Sequence, residues 1–301
     1  MQDRLVQSLE RAHAERKAER AKLGVNAFRF WSGNGAEGPI VEAYGAQLVV
    51  SSPKPPGAPW LEALCQAVRP EGLVLKRSTG RGFSNETLLV QGQVPDVVVV
   101  NEQRARLRCD LRRDGPTGLF LDLQDARLRA AERCKQGSVL NLFAHTGSFS
   151  VHAAAAGAGP VTTVDASKAA LRWARDNFKE SGLDPDRHRW FADDALTVLR
   201  RAESRAFDWI VCDPPAFGRA KRRTFKLAKD VEALWHHGVR AARKGVLFCS
   251  HAPELPLDRV TRGLEREALH QGRRVASVHR YGPPRGFAGP LVEVWMTFEG
   301  G

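Results

Sequence analysis

Residues 138–165, SVLNLFAHTGSFSVHAAAAGAGPVTTVD, constrain the fold more than any other stretch of this chain. Val139, Leu140, Leu142 and Phe143 form an apolar run of strand length that stops at Ala144-His145-Thr146-Gly147, and an alanine-rich segment follows. The pattern reads as strand, tight turn and helix. Gly147 supplies either a positive φ or a close backbone approach, and the helix it opens aims free N–H groups at whatever the turn holds. A second apolar run, Val161 to Val164, ends in Asp165. Doubly wound sheets bind ligands at the carboxyl ends of their strands, where an acid accepts hydrogen bonds from ribose hydroxyls. The bland alternative is an ordinary strand–helix–strand unit whose Asp165 merely caps a helix beginning near Ser167.

Glycine spacing narrows the ligand. A dinucleotide site uses G-x-G-x-x-G so that backbone can approach a pyrophosphate, whereas Asn141 to Phe149 contains one glycine. A candidate ribose acid 18 residues after Gly147, with no pyrophosphate cradle, suits S-adenosylmethionine, which carries ribose and adenine but no phosphate. Asp193-Asp194-Ala195 follows a short strand at Arg189 to Phe191 and offers a carboxylate to an adenine amino group. Asp194 is slightly favoured there, and either acid can instead cap the next helix. Phe207 to Phe217, FDWIVCDPPAF, delivers Asp213 to a strand end. Pro214 and Pro215 then fix a rim that can hold a base edge, with Phe217 available for stacking, although a Pro-Pro turn is also a plain way to end a strand.

Charge suggests the partner. The 301-residue chain has a formal net charge of +12, and such an excess of Lys and Arg fits a polyanion such as RNA, or a solvated surface. Arg219, Lys221, Arg222, Arg223 and Lys226 follow the Asp213 rim, with Lys229 next and no acid before Asp230, so this run is expected to contact RNA. No apolar run reaches the length of a membrane span and the N-terminus lacks an apolar signal core, which leads to the expectation of a cytoplasmic protein. Five scattered cysteines without a C-x-x-C pair argue against a disulfide framework and against a metal site. The oligomeric state is left open.

Along the chain, residues 1–24 read as a charged helix and residues 25–117 as a small α+β domain. Within the latter, Arg104, Arg106 and Arg108 share one face of a strand. From 118 to 301 strands and helices alternate and end in an antiparallel hairpin, the order of a doubly wound α/β sheet.

Read together, GLFLDLQDARLRAA, VLNLFAHTGSFSVHA, TVDASKAALRWARDN, DDALTVL and DWIVCDPPAF resemble the class I S-adenosylmethionine-dependent RNA methyltransferases related to the bacterial large-subunit rRNA cytosine-5 methyltransferases. The resemblance runs from about Asn26 to the C-terminus. Many such relatives begin with an RNA-binding PUA domain, where this chain has the charged helix. The resemblance implies a Rossmann-like seven-stranded domain, S-adenosylmethionine as methyl donor, and structured RNA, above all rRNA, as substrate. By position, Phe143, Ala144, His145, Thr146 and Gly147 would line the methionine end, Asp165 and Ala166 the ribose, and Asp193 and Asp194 the adenine. Gln124 and Arg127 would reach the cofactor, and Asp213, Pro214 and Phe217 would form the catalytic rim.

Cytosine-5 methylation requires a thiolate that attacks carbon 6. The family's cysteine position falls here on His251, which could be a general base, a stacking ring or a loop residue. Cys249, two residues earlier, is either the nucleophile on a shifted strand end or a small buried residue. Cys212 should face the core. Transfer to a ring or exocyclic nitrogen needs no such thiolate. Two other readings stand beside these: methylation of a small molecule or protein by the same fold, and a non-catalytic RNA-binding assembly factor.

Overall fold

The computed structural model describes residues 2–33, 38–78, 85–219 and 224–300, which fall into two compact units. The first comprises Met1–Gln124 with Arg285–Phe287. Its sheet has the order β1 (Ala27–Ser32), β2 (Ile40–Tyr44), β3 (Gln47–Ser52), β4 (Gly72–Ser78), β5 (Asn85–Gly92). The β2–β3 link is a tight turn, with Gly45 at φ 64°. Only β3 and β4 pair in parallel, and the crossover this demands is made by α2 (Ala58–Val68). The N-terminal helix α1 (Gln2–Ala21) is not a separate module, because its Leu9 is fully buried in one core with Phe28, Val41, Leu48, Leu64 and Leu73. A hairpin of β6 (Val98–Glu102) and β7 (Ala105–Cys109) alternates buried Ala105, Leu107 and Cys109 with Arg106 and Arg108, as the sequence spacing requires.

This unit extends to Gln124, past the end at residue 117 expected for the small α+β domain. Lys76, buried in β4, donates to Arg113 O at 2.9 Å and holds the following segment down. Gln124 donates to Ala27 O at 2.9 Å and to Glu102 Oε1 at 2.8 Å, fixing residues up to 124 to the first sheet. Buried polar groups with satisfied partners therefore set the boundary, which composition does not reveal.

The second unit comprises Asp125–Pro284 and Ala288–Gly301. Helix α3 (Gln124–Arg133) leads into β8 (Val139–Leu142), α4 (Ser148–Ala155), β9 (Val161–Val164), α5 (Lys168–Glu180), β10 (Arg189–Phe191), α6 (Ala195–Arg201) and β11 (Phe207–Cys212). After a short hairpin of β12 (Phe217–Arg219) and β13 (Thr224–Lys226) come α7 (Leu227–Ala241), β14 (Ala242–Ser250), α8 (Leu257–His270), β15 (Val275–Tyr281) and β16 (Val292–Phe298). The seven-stranded sheet has the order β10-β9-β8-β11-β14-β16-β15, and β16 alone runs against its neighbours. This is the expected Rossmann-like α/β fold with its antiparallel end. The chain builds outward from β8 to β10 and returns at β11, so the switch point lies between β8 and β11, where open α/β sheets bind ligands. Leu140, Leu142, Val164, Ile210, Phe248 and Val294 form the core with side chains of α6, α7 and α8.

The segment after Phe217 differs from the open basic loop that the sequence suggests. Thr224, Phe225 and Lys226 alternate exposed, buried and exposed, and Phe225 is drawn into the core, so a strand precedes α7. Lys221, Arg222 and Arg223 lie outside the described residues.

Candidate active site

The rim begins where β8 stops. Phe143, His145 and Gly147 take positive φ values of 55°, 49° and 74°, three left-handed residues within one five-residue turn. Non-glycine residues adopt this region at a cost and keep it only where surroundings over-determine it. Those surroundings are visible. Ala144 N donates to Val164 O at 3.0 Å, His145 N to Asp165 Oδ2 at 2.8 Å, and Asn177 Nδ2 to Thr146 O at 2.8 Å. Beneath the turn, Asn141 Nδ2 and Thr163 Oγ1 both donate to Ser150 Oγ at 2.9 Å, tying β8, β9 and α4 together with buried polar groups. Gly147 serves the close-approach role toward protein, since a Cβ there would stand 2.6 Å from Ala174 Cβ on α5.

Asp165 ends β9 half-buried. Its Oδ1 accepts from Ser167 N at 2.8 Å while Oδ2 holds His145 N, so the turn at β8 and the carboxylate at β9 are one construction. Burial raises the carboxyl above its ordinary range against the pull of these two amides. Helix α5 is capped instead by Ser167, whose Oγ accepts from Ala170 N at 3.2 Å. Asp165 thus does more than the capping role that the bland reading allows, and each carboxylate oxygen retains a lone pair for a hydroxyl donor.

At the next strand end the two acids differ in surroundings. Asp194 caps α6, its Oδ2 accepting from Thr197 N at 2.8 Å and from Thr197 Oγ1 at 2.7 Å. Asp193 carries the more open carboxylate, 51% exposed, with Arg201 3.9 Å from Oδ2. Phe191, which the sequence reading passed over, closes β10 with its ring 45% exposed, and its carbonyl accepts from Asp165 N at 3.2 Å. An aromatic residue two positions before an acidic pair at a strand end was the available signal. The Asp165 carboxylate after β9, with the open Asp193 carboxylate and the exposed Phe191 ring at the end of β10, forms an acceptor set that fits the hydroxyl and amino donors of a nucleoside.

Both amide hydrogens of Gln124 are engaged within the first unit, by Ala27 O and Glu102 Oε1. Arg127 on α3 is fully buried. Ala166 is exposed after Asp165.

The second part of the rim follows β11. Cys212 pairs in register with Leu142 of β8 and with Phe248 of β14, which sets Asp213 level with Phe143 on one side and Cys249 on the other. Pro214 is buried and Pro215 half-buried, and Phe217 emerges 49% exposed. The Phe225 ring packs on Phe143 with centroids 4.8 Å apart, joining the β12–β13 hairpin to the turn after β8.

Cys249 sits at the end of β14, beside the rim. It is fully buried, and burial first, then the Asp213 and Glu293 carboxylates, push its thiol well above the ordinary range. Glu293 lies opposite it in register on β16 and is paired with Arg129. Cys212 is buried and raised in the same way. For both sulfurs the surroundings disfavour the thiolate, the form a nucleophile needs. His251 is half-buried just beyond β14.

A seven-stranded sheet with this strand order, a strained turn after its first strand and a carboxylate ending its second defines a class I methyltransferase domain. Residues 71–270 match the family described as S-adenosylmethionine-dependent methyltransferase, and the chain belongs to that family. It is 29% identical to the ribosomal RNA large subunit methyltransferase I of Alteromonas mediterranea over 91% of this chain and 73% of that protein. It is 34% identical to the ribosomal RNA large subunit methyltransferase K of Neisseria meningitidis over 64% of this chain and 57% of that protein, so it spans little more than half of the second relative. The S-adenosylmethionine-dependent methyltransferase of Agrobacterium tumefaciens shares the fold, with a TM-score of 0.70 at 21% identity and 90% of each chain covered. Among the described residues, no helix is long and apolar enough to cross a membrane.

Proposed function

We propose that this chain methylates RNA, with large-subunit ribosomal RNA as substrate, and that the acceptor is a base nitrogen presented at Asp213 and Pro214 rather than carbon 5 of cytosine. The observation that carries the choice of atom is the full burial of Cys249 beside two carboxylates. Carbon-5 chemistry needs a thiolate in contact with the base, whereas a nitrogen with its own lone pair needs only positioning. The RNA assignment is supported by the names of the relatives, by the net charge of +12 and by the basic run that follows the rim.

In this reading Asp165 holds the ribose hydroxyls, Asp193 accepts from the adenine amino group and Phe191 lies against the adenine. The turn from Phe143 to Gly147 shapes the methionine end. Bound there, S-adenosylmethionine supplies a methyl group carried on positively charged sulfur. Asp213 accepts a hydrogen bond from the N–H of the acceptor, orients its lone pair and favours departure of the proton. The Pro214 carbonyl holds a second edge, and Phe217 stacks on the base. The basic residues engage phosphates and position the strand without reading it.

The test is incubation with labelled S-adenosylmethionine and unmodified rRNA, then nucleoside digestion and mass spectrometry. A nitrogen-methylated purine or pyrimidine, lost in Asp213→Ala and retained in Cys249→Ala, is the expected result. A 5-methylcytidine product abolished by Cys249→Ala would overturn the nitrogen assignment. Binding of RNA with no label would favour the assembly-factor role, and labelling of protein or small molecules alone would remove RNA as the substrate.

A further inference from the structure

On the outer side of the second unit, α7 and α8 pack unusually closely. Gly263 on α8 lies against the Trp235 ring, and a Cβ at this glycine would stand 2.3 Å from the ring, so no larger residue fits. This approach brings together three side chains that sequence spacing alone leaves far apart. His236 lies on α7, while Glu267 and His270 lie three residues apart on α8 and so share a face. One ligand atom from each lies within 4.8 Å of the other two, and His236 Nδ1 is 3.0 Å from Glu267 Oε2.

We propose that His236, Glu267 and His270 form a binding site for a divalent transition-metal ion of the zinc class, clamping α7 to α8. Two imidazoles and one carboxylate are borderline donors that suit zinc, cobalt or nickel, whereas magnesium and calcium prefer all-oxygen sets. A tetrahedral ion would leave its fourth position to water. Donors about 2.0–2.2 Å from such an ion lie about 3.4 Å apart, so the set must close by roughly one ångström at its widest, a movement open to the exposed His270. Gln271 Nε2 donates to His236 O at 2.9 Å and fixes the end of α8 against α7. The competing cation is Arg266, 3.8 Å from Glu267 Oε1 on a side chain 58% exposed, which can swing into solvent. The scattered cysteines pointed away from a metal, and the pattern here uses none of them. Without an ion the His236–Glu267 hydrogen bond would be only a latch between helices. His270 takes no part in that latch, so it separates the two roles.

The experiment uses the full chain stripped with chelator, titrated with zinc against a competing indicator dye, and followed by thermal unfolding and by the visible spectrum of the cobalt form. One equivalent should bind with Kd of about 1 µM or tighter. Excess zinc should raise Tm by about 5 °C. His270→Ala and His236→Ala should each weaken zinc binding by about tenfold or more and abolish the cobalt spectrum. Binding no tighter than millimolar, or tight binding unchanged in His270→Ala, would overturn the site. Because His270 is exposed, its variant tests the proposal even if His236→Ala unfolds.

Discussion

The ends of β8 and β11 are neighbours at the switch point of one sheet, yet they are held by different means. The turn after β8 places three residues in left-handed conformations and secures them with hydrogen bonds donated to Val164 O and Asp165 Oδ2 and one accepted from Asn177 Nδ2. The rim after β11 is stiffened covalently by two successive prolines, with one backbone bond, Leu227 N to Ala216 O at 3.1 Å, returning to it. The first arrangement depends on distant side chains and suits a site that must keep one cofactor geometry. The second has its backbone restricted by the proline rings themselves, beside the half-buried Asp213. Their only described ring contact is Phe143 on Phe225. Substitutions at the first rim should therefore alter cofactor affinity and stability, and those at the second should alter turnover.

The largest effect expected is at the second rim. Asp213→Ala should lower kcat by about 10³ through loss of a group that orients the acceptor, with cofactor affinity within about twofold of the native value. Single-turnover methyl transfer and calorimetric titration with S-adenosylmethionine measure the two quantities separately. A parallel loss of cofactor affinity would show that the two strand ends act as one site rather than two.

The mirror-image experiment is Asp165→Ala. It removes the acceptor of His145 N and Ser167 N together with the ribose contact, so Kd for S-adenosylmethionine should rise by about 10², equivalent to about 2.7 kcal/mol. Asp165→Asn should lose less, since its amide oxygen can still accept one of the two bonds. Equal effects from both variants would mean that charge rather than geometry dominates at this strand end.

Gly147→Ala tests the first rim's backbone alone. The φ of 74° is unfavourable for alanine by about 1–2 kcal/mol, and the added methyl meets Ala174, so total destabilisation should be about 2–4 kcal/mol by urea unfolding. No comparable single-residue position exists in the proline-fixed turn. Replacing Pro215 with Ala should be milder, about 1 kcal/mol, acting through the unfolded chain.

The same contrast explains what the sequence made legible. Asp165 and Asp213 stand out because each ends an apolar run, a pattern that alternating helices and parallel strands impose on any such sheet. Gly147 was visible as a special position, but its cause, contact with Ala174 on a helix beyond the next strand, required the fold. Which of Asp193 and Asp194 caps α6 was hidden because aspartate favours caps at either position and only the start of the helix decides between them. The β12–β13 hairpin was missed because its strands are three residues each and its basic content conceals the one inward residue, Phe225. The end of the first unit was missed because Gln124 and Lys76 fix it through buried polar bonds, which leave no hydrophobic period to read.

The smallest expected effect bears most directly on the chemistry at the second rim. Cys249→Ala removes one sulfur from a packed strand, a loss of about 1 kcal/mol in stability. If the thiol is only a core atom, kcat should stay within about threefold of the native value, since nothing in the turn after β11 depends on it. A thiolate nucleophile would instead lose several orders of magnitude, as covalent catalysis fails without its attacking atom. Native-state alkylation gives an independent measure. With Cys212 and Cys249 buried and their thiols raised above the ordinary range, iodoacetamide should reach the half-buried Cys65 before either of them. Rapid labelling of Cys249 in the folded enzyme, protected by S-adenosylmethionine and RNA, would mean that the end of β14 opens in solution. The comparison between the two rims would then have to include a third strand end.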